Sequence, residues 1–215
     1  MGISEQALRA GIDALAALDP RFAAAHARVG YPEPRISEPG YVTLLRTIVG
    51  QQVSIHAARA VWNRLDESLG GAEDPERLLA ASDETLRAAG LSRQKSSYAR
   101  SLAGLVASGE IDLFNLPQDD EAAIAELIKV KGIGRWSAEI YLLFAEGRPD
   151  IWPAGDLAVQ IEIGRILGLD ARPSEKELRA LAQEWSPHRG AAAIFSWHHY
   201  ARAKTATPAA ELSPL

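Results

Sequence analysis

Cysteine is absent from all 215 residues. Disulfides, thiolate zinc sites and cysteine-ligated iron–sulfur clusters are thereby excluded, and a reducing cytoplasm is the setting this composition fits. Long apolar runs are missing as well. Stretches such as residues 140–145 fall far short of the roughly 20 residues that span a bilayer, so no membrane role is expected. The N-terminal residues carry Glu5 and Asp13 inside their apolar pattern and lack a basic start, unlike a secretory signal. Position 6 is Gln6, where the myristoylation pattern needs Ser or Thr. An excess of positive charge is also lacking. The net charge of −5 taken alone argues against a nucleic-acid partner, whose phosphates are neutralised by Lys and Arg. A small basic footprint or a set of backbone N–H groups can still hold phosphates on an acidic protein.

Hydrophobic residues make up 47% of the chain and charged ones 24%, enough for a folded core. Apolar residues recur at helical spacing throughout, and no convincing alternation marks a strand. Helices are expected over residues 4–18, 40–49, 54–69, 75–81, 83–89, 93–108, 119–128, 135–146, 157–167, 175–185 and 189–203. Gly70-Gly71, Gly90 and Gly168 follow helices as stop signals, and Ser82, Ser92 and Ser174 precede them as N-caps. Residues 31–39 hold three prolines and form the best linker, while residues 205–215 read as a flexible tail. The pattern predicts an all-α protein of two helical lobes.

Two segments carry chemistry. In LIKVKGIGRWSAE, residues 127–139, Gly132 and Gly134 bracket Ile133 between two helices. Glycines so placed allow a tight turn whose amides converge, and the next helix adds its unpaired N–H groups and positive dipole end. Lys129, Lys131 and Arg135 stand nearby as charge support for a phosphate. An ordinary connection between helices is the plainer reading of the same residues. No strand precedes the glycines, so this is not a dinucleotide fingerprint. In WPAGDLAVQIEIGRILG, residues 152–168, Asp156 sits just before an apolar-periodic helix. It reads as an N-cap, and a carboxylate held by N–H donors can also stabilise positive charge or orient a water. Trp136 and Ile140 lie one helical turn apart, and Trp197, His198, His199 and Tyr200 cluster on the last helix. Aromatics at such spacing are core by default. If Trp136 and Trp197 flank a pocket, their faces suit a flat, cationic ligand.

In order along the chain stand TIVGQQVS (residues 47–54), GLSRQKSSYAR (90–100), KGIGRWSAEIYLLF (131–144) and DIWPAGD (150–156). With these motifs the chain resembles the helix-hairpin-helix DNA glycosylase superfamily with its Gly-Pro/Asp loop, most of all its alkylation-repair branch, the 3-methyladenine DNA glycosylase II type. The resemblance covers roughly residues 31–202. It implies two helical lobes, about 40–145 and about 1–39 with 146–204, and an active-site cleft between them. It implies that Gly132, Ile133, Gly134 and Arg135 anchor a DNA phosphate. A structural Na+ or K+ at the backbone carbonyls of Ile128, Val130 and Gly132 is implied too. Asp156 matches the essential aspartate. Trp136, Ile140, Trp197 and His198 fall at base-pocket positions, His198 being the better functional candidate of the two adjacent histidines. Gln52, flanked by Gln51 and Val53, matches the residue inserted into the duplex where the base has left.

Departures from the family pattern accompany the likeness. Ile140 and His198 stand where relatives have tyrosines, Gln52 replaces a leucine wedge, and Lys131 replaces a proline. The N-terminal β-containing domain of many such enzymes is expected to be absent or replaced by helix, since residues 1–30 alone precede the shared part.

The activity implied is excision of alkylated purines such as 3-methyladenine and 7-methylguanine from duplex DNA, by flipping the base and hydrolysing its glycosidic bond. Bifunctional relatives place a Schiff-base lysine just after the hairpin, where this chain has Trp136, so a monofunctional enzyme leaving an abasic site is implied. No cofactor is required for that chemistry. A catalytic zinc lacks its ligand spacing, because the adjacent His198 and His199 cannot share a helix face; both are expected at a pocket rim or on the surface. The expected partner is double-stranded DNA with damaged bases, bound by a monomer in a bacterial-type, nucleoid-associated cytoplasmic setting. A glycosylase for neutral lesions such as hypoxanthine or ethenoadenine, and a non-catalytic DNA-binding module, are the alternatives.

Overall fold

The computed structural model describes residues 2–206, with side chains through Arg202. Its helices are α1 Glu5–Leu18, α2 Pro20–Val29, α3 Tyr41–Gly50, α4 Ile55–Leu69, α5 Pro75–Ala80 and α6 Asp83–Ala88. They continue with α7 Arg93–Ala107, α8 Asp120–Leu127, α9 Arg135–Tyr141, α10 Leu157–Ile166, α11 Glu175–Leu181 and α12 Arg189–Ala206. No strand occurs among the described residues, so the protein is all-α. No helix among them is long and apolar enough to cross a membrane.

The helix starts follow local chemistry. Ser4, Ser54, Ser82, Ser92 and Ser174 each accept the N–H three residues on, which satisfies one of the donors a helix start leaves open. Ser174 completes a capping box with Glu177. Helix α2 has no counterpart among the helices expected from periodicity. Its signal is local: Asp19 accepts the Arg21 N–H at 2.8 Å and Pro20 occupies the first turn, where a missing N–H does no harm.

Two expected helices change character part-way. The one over 135–146 is α-helical only to Tyr141, and Leu142–Glu146 widens into a π turn. The Phe144 carbonyl there accepts the Ser37 N–H at 2.8 Å, so the irregular turn supplies an acceptor to the incoming chain. The one over 175–185 tightens into a 3-10 turn at Ala182–Trp185. Thr205 and Ala206, expected in the tail, belong to α12; the rest of the expected tail, residues 207–215, lies outside the described residues.

The chain divides into two compact units. One is contiguous, Ser37–Glu146. In it α3 packs on α4, α7 and α9, α7 also carries α5 and α6, and α8 packs on α9. Its core is aliphatic, with Leu44, Leu45, Ile48, Leu65, Leu78, Leu86, Leu102 and Leu127 fully buried. Each such side chain contributes about 1.5–3 kcal/mol on burial. The other unit joins Gly2–Ile36 to the chain from Gly147 onward. There α1 pairs with α2 and α12, and α10 lies against α12 and α2. Aromatics fill this core: Phe22 and Trp152 each meet the Trp185 ring edge-on, at 5.3 and 5.4 Å between centroids. The crossover between units falls after Ile36, inside the proline-rich stretch, whose residues 30–39 are not helical.

Candidate nucleic-acid interface and carboxylate site

Helix α8 ends at Leu127, and the chain turns through residues 128–134 into α9. Val130 and Ile133 are buried and pin the turn to its own unit. The two glycines differ. Gly132 has φ +82, and a Cβ added there would lie 2.1 Å from the Tyr98 ring, so its own protein demands glycine. Gly134 is extended, at φ −90 and ψ 174, and an added Cβ would meet nothing within 4 Å. Of the two, Gly132 alone takes the left-handed backbone.

The amides also divide. Ile133, expected among the phosphate-binding amides, donates its N–H to the Val130 carbonyl at 3.0 Å. The N–H groups of Gly132, Gly134 and Arg135 have no acceptor among the described residues, and Gly134 brings no side chain to cap α9. The expected charge support is smaller than the sequence implied. The Arg135 guanidinium bonds Glu139 at 2.9 Å and takes both oxygens of Glu121, one at 2.8 Å. The bonds with Glu121, ahead of the Glu139 charge, hold its proton more tightly than usual. Its side chain thus braces α9 against α8. Lys129 pairs with Glu126 at 2.8 Å. Lys131 keeps an exposed side chain, while its N–H donates to Ser101 Oγ at 3.1 Å.

The α3–α4 loop belongs to the same unit. Gln51 turns inward and donates its side-chain amide to the Gly132 carbonyl at 2.9 Å. Gln51, expected beside the intercalating residue, thereby ties the loop to the hairpin. Gln52 is exposed and stands at φ +56, the left-handed region, which a β-carbon makes costly by about 1–2 kcal/mol. Strain of this kind persists where surroundings impose it, often at working positions. Val53 is 43% exposed and Ile55 87% exposed. Ile55, an apolar side chain standing in water on the first turn of α4, was not among the expected contact residues. Nor was Lys95, whose ammonium donates to the Val49 carbonyl at 2.7 Å and closes the end of α3. Desolvation there holds Lys95 below the ordinary lysine range.

The carbonyls of Ile128, Val130 and Gly132 are neutral oxygens, the donor type an alkali cation takes. Those of Val130 and Gly132 already accept from Ile133 and Gln51, and each retains a second lone pair. The donor chemistry therefore fits such an ion.

In the second unit, the loop before α10 is held by short bonds. Ala154 N–H meets the Trp152 carbonyl at 2.8 Å and Asp156 N–H the Pro153 carbonyl at 2.9 Å. The Gln160 side chain donates to the Ala154 carbonyl at 2.8 Å. At the loop's start Asp150 is clamped by Arg189 Nε and Nη2 at 2.9 and 2.7 Å and by Ser186 Oγ at 2.7 Å. Burial pushes the Asp150 carboxyl up, but these bonds outweigh it and hold it below the usual carboxylate range.

Asp156 is the N-cap of α10, and its Oδ1 accepts from Val159 N–H at 2.9 Å and from Trp197 Nε1 at 3.2 Å. The cap reading and the functional reading are thus one geometry, a fixed carboxylate beside an indole. Trp197 is half-buried. In the first unit Trp136, on the opening turn of α9, is 48% exposed, and Ile140 is half-buried on the same helix. His198 Nε2 lies 3.0 Å from the Val29 carbonyl, so this imidazole braces α12 against α2. His199 is buried, at 6% exposure, and bonded to Glu162, which corrects its placement at the rim or surface.

A helical protein with a glycine hairpin between helices, and with a Pro-Gly-Asp loop that caps the next one, defines a recognisable class. A model of the HhH-GPD superfamily of base excision DNA repair proteins matches residues 45–188, and the chain belongs to this family. YfjP of Bacillus subtilis is 29% identical over 165 residues, 73% of this chain. The match spans 58% of that relative's length. Among solved structures, a DNA-3-methyladenine glycosidase from Bacillus halodurans superposes with a TM-score of 0.84 at 31% identity, covering 91% of each chain. The Schizosaccharomyces pombe 3-methyladenine DNA glycosylase in complex with abasic DNA gives 0.74 at 29% identity, covering 91% of this chain and 97% of that one.

Proposed function

We propose that the protein is a monofunctional DNA glycosylase of base excision repair that flips alkylated purines such as 3-methyladenine and 7-methylguanine out of duplex DNA and hydrolyses their glycosidic bonds. The observation that carries this reading is the Asp156 carboxylate, fixed on Oδ1 by Val159 N–H and Trp197 Nε1. Breaking the bond to a cationic purine leaves positive charge on the sugar, and a preorganised carboxylate stabilises that charge and orients the attacking water. The open N–H groups of Gly132, Gly134 and Arg135 hold a backbone phosphate, with Lys131 as the nearby free cation. Gln52, with Val53 beside it, fills the gap left by the base. Trp136, Ile140 and Trp197 offer stacking surface to the extruded base. The carbonyls of Ile128, Val130 and Gly132 hold a structural Na+ or K+, and the chemistry itself needs no cofactor. The enzyme acts as a monomer on double-stranded DNA, in a bacterial-type cytoplasm at the nucleoid. Similarity to glycosylases of this type supports the substrate class.

The test is release of free bases from methylated duplex DNA, with a panel of duplexes carrying hypoxanthine or ethenoadenine alongside. Cationic bases are expected to leave faster, Asp156→Asn to remove turnover while abasic-DNA binding survives, and borohydride to trap no covalent adduct. Faster loss of neutral bases would overturn the substrate class, and DNA binding with no release would leave a binding module. Turnover surviving in Asp156→Asn, with only stability lowered, would reduce Asp156 to a helix cap.

A further inference from the structure

Behind the cap of α10 lies a chain of charged groups that the proposed chemistry does not use. Glu162 is fully buried. Its Oε1 meets His199 Nδ1 at 2.5 Å and its Oε2 meets Arg165 Nη1 at 3.2 Å. The other ring nitrogen, Nε2 of His199, lies 3.1 Å from Arg28 Nη2. A guanidinium only donates, so His199 Nε2 is the acceptor and the ring proton sits on Nδ1, donated to Glu162. The donor order is therefore Arg28 to His199 to Glu162, with Arg165 as second donor to the carboxylate. The chain joins α2, α12 and α10.

The same two helices, α10 and α12, carry the proposed catalytic contact. Asp156 caps α10 six residues before Glu162, and Trp197 precedes His199 by two residues on α12. The helices are thus cross-linked twice, by Asp156–Trp197 at 3.2 Å and by Glu162–His199 at 2.5 Å. We propose that Glu162 and His199 are positioning residues: their buried bond sets the register of α12 against α10 and so holds Trp197 where its indole orients the Asp156 carboxylate. This rests on the reading of Asp156 as the catalytic carboxylate. A buried carboxylate and its hydrogen-bond partner are a poor source of stability, because apolar residues of similar volume often serve as well or better. What such a directional bond supplies, and dispersion contacts do not, is one fixed rotation and height of one helix on the other. Catalytic groups need placement to within about 0.5 Å, and a displacement of about 1 Å can lower the rate roughly a hundredfold.

The apolar double substitution Glu162→Met with His199→Leu removes the bond and keeps the volume. The expected result is a melting temperature equal to or above that of the parent, kcat about a hundredfold lower, and unchanged affinity for abasic duplex. A second pair of variants stands independently of whether the double variant folds. His199→Asn places an amide N–H near the Nδ1 position and is expected to restore kcat to within about threefold, whereas His199→Gln reaches toward Arg28 and is not. Parental kcat in the folded double variant would overturn the proposal, as would equal kcat in the Asn and Gln variants. Asp156→Asn is assayed in parallel. If it retains turnover, the catalytic reading fails first, and that failure is distinguishable from one confined to the Glu162–His199 pair.

Discussion

The two hairpin glycines make opposite demands, and substituting alanine at each separates them. At Gly132 the backbone has φ +82, and a methyl would stand 2.1 Å from the Tyr98 ring. Left-handed backbone costs about 1–2 kcal/mol for an L-residue, and forcing a methyl into packed atoms costs about 1–3 kcal/mol more. For a chain of this size each kcal/mol moves the melting temperature by about 2–4 °C, so Gly132→Ala is expected to lose on the order of 10 °C. Adding Tyr98→Ala should recover the collision and leave the backbone component. At Gly134 the conformation is ordinary extended backbone and the space beside it is open. Alanine there restricts the unfolded chain and is expected to stabilise by about 0.4–1 kcal/mol. It should nonetheless weaken abasic-duplex binding roughly tenfold, about 1.4 kcal/mol, because the methyl occupies the path of an approaching phosphate. Thermal melting and fluorescence anisotropy with an abasic duplex read the two quantities separately. If Gly134→Ala destabilises as much as Gly132→Ala, or binds abasic DNA like the parent, the division of labour is wrong.

Other perturbations follow from the same geometry. Gln52→Gly relieves the left-handed residue and should raise stability by about 1 kcal/mol. It should also slow excision from duplex DNA more than from single strands, a comparison of melting curves and two substrates that fails if the duplex rate is unchanged. Asp150 titrates in the folded protein below its unfolded value, because its bonds to Arg189 and Ser186 outweigh burial. The stability it contributes is therefore complete above the unfolded aspartate range near about pH 4 and is lost as pH falls through the folded value. The melting-temperature gap between the parent and Asp150→Asn should be constant above about pH 5 and shrink toward pH 3; a gap that widens on acidification would contradict the assignment.

Much of this architecture was legible because helices announce themselves locally. The serine caps at Ser82, Ser92 and Ser174, and Asp156 ahead of its apolar stripe, act within three residues and need no tertiary knowledge. Even α2 had its signal, Asp19 followed by Pro20, although its short, alanine-rich body buries only Phe22 and Ala25. What escaped was long-range. The Arg135 side chain reads as charge support for a phosphate until Glu121, fourteen residues earlier, is seen across the hairpin. His199 reads as surface until Glu162 and Arg28 are brought to it from two other helices. Gln51 and Gln52 are identical letters side by side, yet one faces Gly132 and the other takes the strained backbone. Sequence spacing located the hairpin and the aspartate, and only coordinates assigned the individual amides, cations and histidines.

The division of the chain into a contiguous unit and an interrupted one has a consequence for synthesis. Ser37–Glu146 holds all the partners its helices need and can collapse as soon as it has left the ribosome. Helix α1 precedes that unit in the chain, yet one of its partners follows it. Its buried face of Leu8, Ile12 and Leu15 packs on α2 and on α12, and α12 begins only at Arg189. Until then the nascent chain carries an unsheltered apolar stripe, and closing it means joining segments separated by more than a hundred residues. The unit bearing Asp156 is therefore completed after the contiguous one, and the carboxylate acquires its indole partner only once α12 has followed.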